Sequence, residues 1–434
     1  MSDTRRIGIL TGGGDVPGLN SVIKSVVYNA TEIGYEVIGI RRGWEGLTHM
    51  RPGSELDADY LLQLDRNNTR AIDRTGGTML HTSRTNPSKT KAKRLPPHLP
   101  TEQAGRFQKD DDLYDLTPMV LENISSLELD YLVSIGGDDT LSYSKVLDGH
   151  GVPLIAIPKT MDNDVQGTEY CIGFSTAITR AKEAINRQRT TLGSHERIGV
   201  FRIFGRDAGF SALYTAYVTS ARCVIPEAPF DLEHLLDVLV EDKRLNPSRY
   251  SFVIASEGAM WRGGTLGEFG EADPYGHRRK VDIGFALAEQ IKQRTGHEAV
   301  NSQLTYDLRS GEADSLDQMV AITFANIAVD LIRDGGVKGR MIAIVDGKYA
   351  HVPIPEPGNP RKVDVDTMYD LQRFRPQYHD RLGRPLLLGA SVGSLVGVGY
   401  ETCFPGRTGS HAPATTIALP GHPSRSARRR LSGN

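Results

Sequence analysis

Cysteine is scarce: Cys171, Cys223 and Cys403 are the only three in 434 residues, and they lie far apart. An odd, scattered set excludes a disulfide scaffold and the paired spacings of a zinc module, and makes a reducing cytoplasm the expected compartment. An excess of one charge is also missing, since 51 Lys and Arg against 53 Asp and Glu leave a net charge of −2. No global positive field exists to hold nucleic acid or an anionic membrane, so neither is an expected partner. A phosphorylated ligand has to be held by a local cluster instead. Long apolar runs are absent too. The longest, Pro385 to Gly399, is too short and too broken by Gly and Ser to span a bilayer. The opening residues, Met1-Ser2-Asp3-Thr4-Arg5-Arg6, carry no apolar leader segment, so no secretory signal is expected.

Glycine, by contrast, is plentiful. The 46 glycines cluster after apolar runs. Those runs alternate with helical patterns. Strands are expected at Arg6–Thr11, Glu36–Ile40, Tyr131–Ile135, Pro153–Ile157, Ile198–Phe204, Arg222–Ile225, Tyr250–Ala255 and Met341–Val345. Leu19, Val22, Ile23, Val26, Val27, Ala30 and Ile33 recur at helical spacing, with Pro17 expected in that helix's first turn. Further helices are expected at Phe174–Arg189, Ala208–Thr219, Leu232–Lys243, Val281–Thr295 and Asp317–Arg333. This alternation implies βαβ units, a parallel sheet with helices on both faces, and ligands at the C-terminal ends of strands. The length suggests two or three domains. Two regions break the rhythm. Asn86–Asp112, rich in Pro and charge, reads as a solvated surface excursion, although Lys89, Lys91, Lys93 and Arg94 form a basic half able to touch phosphate. After about Tyr349 the pattern degrades into Pro-rich segments, and the tail from Ser424 is basic, polar and expected to fray.

Four strand ends carry unusual residues. Gly12-Gly13-Gly14-Asp15-Val16-Pro17-Gly18 joins a strand to a helix, where backbone N–H groups can approach an anion. It is neither a Walker loop nor the dinucleotide fingerprint, whose third glycine position holds Pro17, and a plain tight turn explains it equally well. Gly136-Gly137-Asp138-Asp139-Thr140 sets two adjacent carboxylates at a strand end. One suits Mg²⁺ and one a helix N-cap, and both readings can hold together. Pro158-Lys159-Thr160-Met161-Asp162-Asn163-Asp164 packs a cation, a hydroxyl and two carboxylates together, as phosphoryl transfer to an alcohol requires. Turn chemistry alone does not call for that lysine. The fourth set is scattered: Arg197, Phe204-Gly205-Arg206-Asp207, Glu257 and Arg309. Any one of these arginines reads as a surface ion pair, but arginine forks also suit phosphate.

Together these segments resemble the phosphofructokinase family from about Arg6 to about Val345. The resemblance rests on Gly8 to Asn20, Ile135 to Thr140, Lys159 to Asp164, Gly173 to Ala177, Gly205-Arg206 and Glu257-Gly258, in order. It implies two Rossmann-like three-layer α/β/α domains with mostly parallel sheets and a ligand site in the cleft between them. Residues 1–172 with 317–350 would form the donor domain and 173–316 the sugar-phosphate domain, with 351–434 as a C-terminal extension.

Members of the family that use ATP resemble one another in having Gly after the metal-binding Asp and at the position of Lys159. Asp139 and Lys159 resemble the pyrophosphate-dependent branch instead. A carboxylate at 139 would repel an ATP α-phosphate, and the Lys159 ammonium would meet the shorter donor. By resemblance, Asp162 is the base on the sugar 1-hydroxyl, and Thr160 and Asp164 orient it. Asp138 holds Mg²⁺, and Gly13 approaches the donor through its backbone. Lys159 and Arg206 neutralise the transferring group. Arg197 and Arg309 grip the sugar's existing phosphate, such arginines coming from a neighbouring subunit in the family. Glu257 binds sugar hydroxyls, and Phe204 and Gly205 form a wall. The implied enzyme is a reversible pyrophosphate-dependent phosphotransferase acting on fructose 6-phosphate, and a homodimer or homotetramer. Phe204 where many members carry Met, the Thr305–Arg309 segment and Gln318 depart from the family pattern, all at the sugar-phosphate end. Sedoheptulose 7-phosphate is therefore an alternative acceptor, and ATP an alternative donor. A nicotinamide-dependent dehydrogenase fails at Pro17, and a catalytically dead regulatory subunit is disfavoured by intact Asp138, Asp162 and Arg206.

Overall fold

The computed structural model describes residues 5–51, 53, 57–264, 268–269, 279–280, 282–377 and 401–402. Cys403, the apolar stretch 385–399 and the basic tail lie outside these residues. The chain opens with β1 (Arg5–Thr11), the helix α1 (Leu19–Glu32), β2 (Tyr35–Ile40) and β3 (Leu61–Leu64). It continues with β4 (Tyr131–Gly136), α2 (Asp138–Gly149), β5 (Leu154–Pro158) and α3 (Phe174–Ser194). Then come β6 (Ile198–Ile203), α4 (Phe210–Thr219), β7 (Arg222–Val224), α5 (Leu232–Leu245), β8 (Ser251–Ser256), α6 (Ile283–Thr295) and β9 (Ala299–Gln303). The helix α7 (Ser315–Asp334) precedes β10 (Arg340–Val345), β11 (Lys348–Pro353) and β12 (Glu401–Thr402).

Two main sheets result. The larger runs β12-β11-β10-β5-β4-β1-β2-β3, and the smaller runs β7-β8-β6-β9. The contiguous centre β10-β5-β4-β1-β2 is parallel, and the flanking strands β11, β12 and β3 pair antiparallel. All pairs in the smaller sheet are parallel. The centre of the larger sheet is buried on two faces, as the continuous apolar runs of β1, β5 and β10 require. The α/β expectation is met, and every strand expected from the sequence is present. The sequence reading missed β3, β9, β11 and β12, which are short or carry too few apolar residues to stand out.

The helix α7 is long and apolar enough by composition to cross a membrane. Here it packs along α1, Asn29 Nδ2 donating to Asn326 Oδ1 at 2.6 Å, and about half of it is buried. Its Asp317, fully buried, accepts from Tyr170 Oη at 2.6 Å, Gly173 N at 2.8 Å, and Thr176 N and Oγ1 at 2.8 and 2.5 Å. One carboxylate thereby satisfies the amides that open α3. Cys171 and Cys223 are free thiols, buried.

Two local readings change. Pro17 lies in the turn before α1, not in its first turn: Gly18, at φ 105°, is the N-cap. A β-carbon there would lie 2.6 Å from Ile172, so the left-handed glycine lets the turn sit tight against the core. The excursion 86–112 is more than a solvated loop. It holds short antiparallel strands and buries Phe107 against Leu116 and Met119.

Candidate active site

The C-terminal ends of β1, β4, β5, β6 and β8 open into one cleft of about 990 Å³. Twelve of the residues singled out from the sequence bear on it directly or from behind. Gly13, Asp138, Asp139, Lys159, Thr160, Asp162, Asp164, Phe204, Arg206, Glu257 and Arg309 line it. Gly205 lies just behind Phe204. Arg197 does not reach it. It stands just before β6, at the strand's opposite end.

Loop geometry explains how the first group converges. After β5 the chain turns back, Lys159 N donating to Gly136 O at 2.9 Å and Thr160 N to Ile172 O at 3.1 Å. Asn163, at φ 54° and 1% exposed, forces the turn between the two carboxylates. Its amide is spent on the turn: Nδ2 donates to Glu169 O at 3.0 Å and Oδ1 accepts from Cys171 N at 2.8 Å. This fixes Asp162 and Asp164 toward the cleft. The sequence offered a signal for Asn163, because Asn tolerates left-handed backbone and bonds locally.

Asp162 Oδ1 is buried and accepts no hydrogen bond. Burial, then Asp164 and Glu257, push its carboxyl up to about 8, with Arg206 and Arg309 opposing. Asp164 is raised to about 6, chiefly by burial and then by Asp138 and Asp207. An orphaned acceptor beside guanidinium groups is the arrangement a hydroxyl proton donor would complete.

The glycine loop is tied down by its own backbone. Gly13 N donates to Ser83 O at 3.0 Å and Gly13 O accepts from Thr82 Oγ1 at 2.6 Å, so its backbone is already engaged. What the loop supplies is room. A β-carbon on Gly13 would lie 3.2 Å from Lys159 Nζ, and one on Gly14 3.0 Å from Arg309 Nη1. Two cations thus lie over a surface without side chains. Lys159 is 4% exposed and donates to Gly14 O at 2.5 Å. Burial first, then Arg309, lower its pKa to about 8, and Asp139 is the leading group holding it up. The Asp139–Lys159 pair therefore shares one electrostatic neighbourhood. Arg309 lies 4.9 Å over the Phe204 ring and 5.5 Å over that of Tyr306, with Asp15 at 3.9 Å. It acts on Lys159 as well as Asp162, so it overlooks the centre of the cleft.

The N-cap of α2 is Gly137, which has no side-chain cap bond. Asp138 and Asp139 occupy the helix's first turn instead, so the capping explanation for them does not hold. Among the described residues no group of three or more His, Cys, Asp or Glu is arranged to cage a metal. Asp138, whose charge raises Asp164, fits a hard cation shared with phosphate oxygens.

On the other wall, Gly205 at φ 120° lets the β6 turn fold under β8, its carbonyl accepting from Gly258 N at 2.9 Å and Ser256 Oγ at 2.7 Å. Glu257 pairs with Arg202 Nη2 at 3.2 Å. Arg202, Arg84 and Lys362, which sequence reasoning missed, also line the cleft, as does Arg94, one of the basic residues singled out as able to touch phosphate. Arg202 was legible as an arginine one residue from the end of a buried strand. Arg94 belongs to the excursion set aside as solvated, and Lys362 to the segment where the pattern degrades.

The phosphofructokinase family model matches residues 6–332. The pyrophosphate–fructose 6-phosphate 1-phosphotransferase of Streptomyces coelicolor is 37% identical over 355 residues, 81% of this chain and 94% of that protein. ATP-dependent 6-phosphofructokinase 3 of the same organism is 36% identical, over 84% of this chain and 98% of that one. Among solved structures, the pyrophosphate-dependent phosphofructokinase of Marinobacter aquaeolei shares the fold, with a TM-score of 0.67 at 20% identity over 89% of this chain and 92% of its own. A match over three quarters of the chain, with the cleft at its strand ends, shows that the chain belongs to the phosphofructokinase family.

Proposed function

We propose that this protein transfers a phosphoryl group reversibly from pyrophosphate to the 1-hydroxyl of fructose 6-phosphate, giving fructose 1,6-bisphosphate. The observation that carries the chemistry is the buried, unpartnered Asp162 Oδ1 facing the cleft beside Arg206 and Arg309. In the reaction Asp162 accepts the sugar hydroxyl proton as the oxygen attacks phosphorus. Thr160, whose Oγ1 accepts from Asp162 N at 3.1 Å, holds that loop's tip. Lys159, Arg206 and Arg309 offset charge on the moving group, so electrostatic positioning does most of the work. Glu257 meets sugar hydroxyls. Asp138, with Asp164 near it, would hold Mg²⁺, whose chemistry is to neutralise pyrophosphate oxygens.

The donor assignment is supported by the electrostatic coupling of Asp139 to Lys159. A fixed carboxylate and a buried ammonium leave space for a diphosphate and oppose a nucleotide's inner phosphate. The relative named for pyrophosphate adds to this, although one named for ATP is nearly as similar. The two sheets support a donor domain at 1–172 with 317–350 and a sugar-phosphate domain at 173–316. Arg197, outside this chain's cleft, is consistent with an oligomer that lends it to a neighbour.

Purified protein assayed with Mg²⁺, fructose 6-phosphate and each donor tests the reading. Turnover is expected with pyrophosphate. Turnover with ATP alone would overturn the donor assignment.

A further inference from the structure

After β11 the chain runs along the cleft as a strap. Gly358, Pro360 and Lys362 face the opening, whereas Arg361 and Val363 turn inward and are buried. Arg361 lies beyond the family match, which ends at residue 332. A buried guanidinium is costly unless partnered. Its partners here belong to two different loops. The Arg361 backbone N–H donates to Asp164 O at 2.6 Å, and Nη1 donates to Thr168 O at 2.9 Å. The guanidinium carbon sits 4.3 Å from the centre of the Phe210 ring. Two residues on, Val363 N donates to Glu227 Oε1 at 2.9 Å, the oxygen that also accepts from Gly209 N at 2.9 Å. The first pair of contacts falls on the loop of Asp162 and Asp164. The rest fall on the turn that follows Arg206.

We propose that Arg361 is a positioning residue that sets the spacing between the Asp162 loop and the Arg206 turn, so that carboxylate and guanidinium address one transferring group. This rests on the phosphotransfer reading above. Lysine substitutes poorly, because its ammonium lacks the planar face that lies on Phe210 while a second nitrogen reaches Thr168 O. A misplacement of about 1 Å is enough to cost about 10²-fold in rate.

The test uses the full chain, fructose 6-phosphate and whichever of pyrophosphate or ATP supports wild-type turnover. A wild type working only with ATP thus sinks the donor reading and leaves this comparison intact. Arg361→Ala is expected to lower kcat about 10²-fold with KM for both substrates within about threefold. Guanidinium chloride at about 50 mM should restore kcat at least about fivefold where sodium chloride does not, by refilling the vacated site. Arg361→Lys should stay nearly as slow as Arg361→Ala. A folded Arg361→Ala with kcat within about threefold of wild type overturns the proposal, as does a loss confined to KM. Should Arg361→Ala fail to fold, Phe210→Leu decides: a kcat loss of about fivefold is expected, and an unchanged kcat overturns the proposal. Absence of wild-type turnover with both donors overturns both claims.

Discussion

Lys159 Nζ donates to the carbonyl oxygen of Gly14 across 2.5 Å, joining positions 145 residues apart. The bond aims a buried ammonium along the glycine loop, where Arg309 arrives from the other sheet. A side chain at residue 13 or 14 would crowd these cations and make each shift by a few tenths of an ångström. Two side-chain cations thus converge over the loop, whose Gly13 amide is already bonded to Ser83 O.

That arrangement makes the donor pair a sharp target. Asp139→Gly with Lys159→Gly should cut kcat/KM for pyrophosphate by about 10²-fold, the order expected for losing one preorganised charge contact. Some ATP-supported turnover should appear. Steady-state kinetics with each donor measures both, and full pyrophosphate activity in the double variant would mean these positions do not read the donor.

Asp162→Asn should lower kcat by about 10²–10⁴-fold, as for loss of a general base, with a smaller change in donor KM. The same variant makes a stability prediction of definite sign. The folded carboxyl is raised from its ordinary value of 3.8 to about 8. Its contribution to stability is therefore fully present below about pH 4 and lost as pH rises through about 8. Asparagine carries no such charge. Ligand-free Asp162→Asn should melt above wild type at pH 8.5, the difference shrinking toward pH 5, in paired thermal scans. An equal offset at both pH values would mean that Asp162 ionises as easily folded as unfolded.

The pH dependence of kcat/KM should be bell-shaped. The Asp162–Asp164 pair, raised to about 8 and about 6, must lose a proton for the base to act, which sets the acid limb. Lys159, lowered to about 8, must keep its proton to meet the donor, which sets the alkaline limb. Lys159→Arg should push the alkaline limb upward while leaving the acid limb in place, because guanidinium does not deprotonate in this range. A profile without an alkaline fall in the wild type would remove Lys159 from this role.

Gly258→Ala tests the far wall. Its new β-carbon would lie 1.8 Å from the carbonyl oxygen of Arg206, a backbone atom that cannot yield cheaply. A stability loss of about 1–3 kcal/mol is expected, as for other overpacked sites. Displacement of Arg206 should also slow turnover beyond what the melting temperature explains. Wild-type kcat together with wild-type stability would show that the wall tolerates movement.

Much of this was legible beforehand, for identifiable reasons. Buried parallel strands such as Leu154–Pro158 announce themselves as apolar runs, and the polar residues that follow them mark the cleft. What the sequence hid depends on contacts over distance. Ala299–Gln303 reads as loop because its residues are only half-buried, yet it pairs with Ile198–Arg202. Nothing local distinguishes Lys362 from a surface cation, since it joins the cleft only through the path of the strap. At Gly13 the motif marks the right place, and its amide donates to Ser83 O.

The order of the strands in the larger sheet has a consequence for biosynthesis. β5 ends at Pro158, and its parallel neighbour β10 begins only at Arg340. On the ribosome, at about 5–20 residues per second, the open flank of β5 waits roughly 10–40 s for its partner. An unpaired edge of apolar residues invites pairing with other nascent chains. Production of this protein should therefore depend on chaperone capacity more steeply than its finished stability suggests.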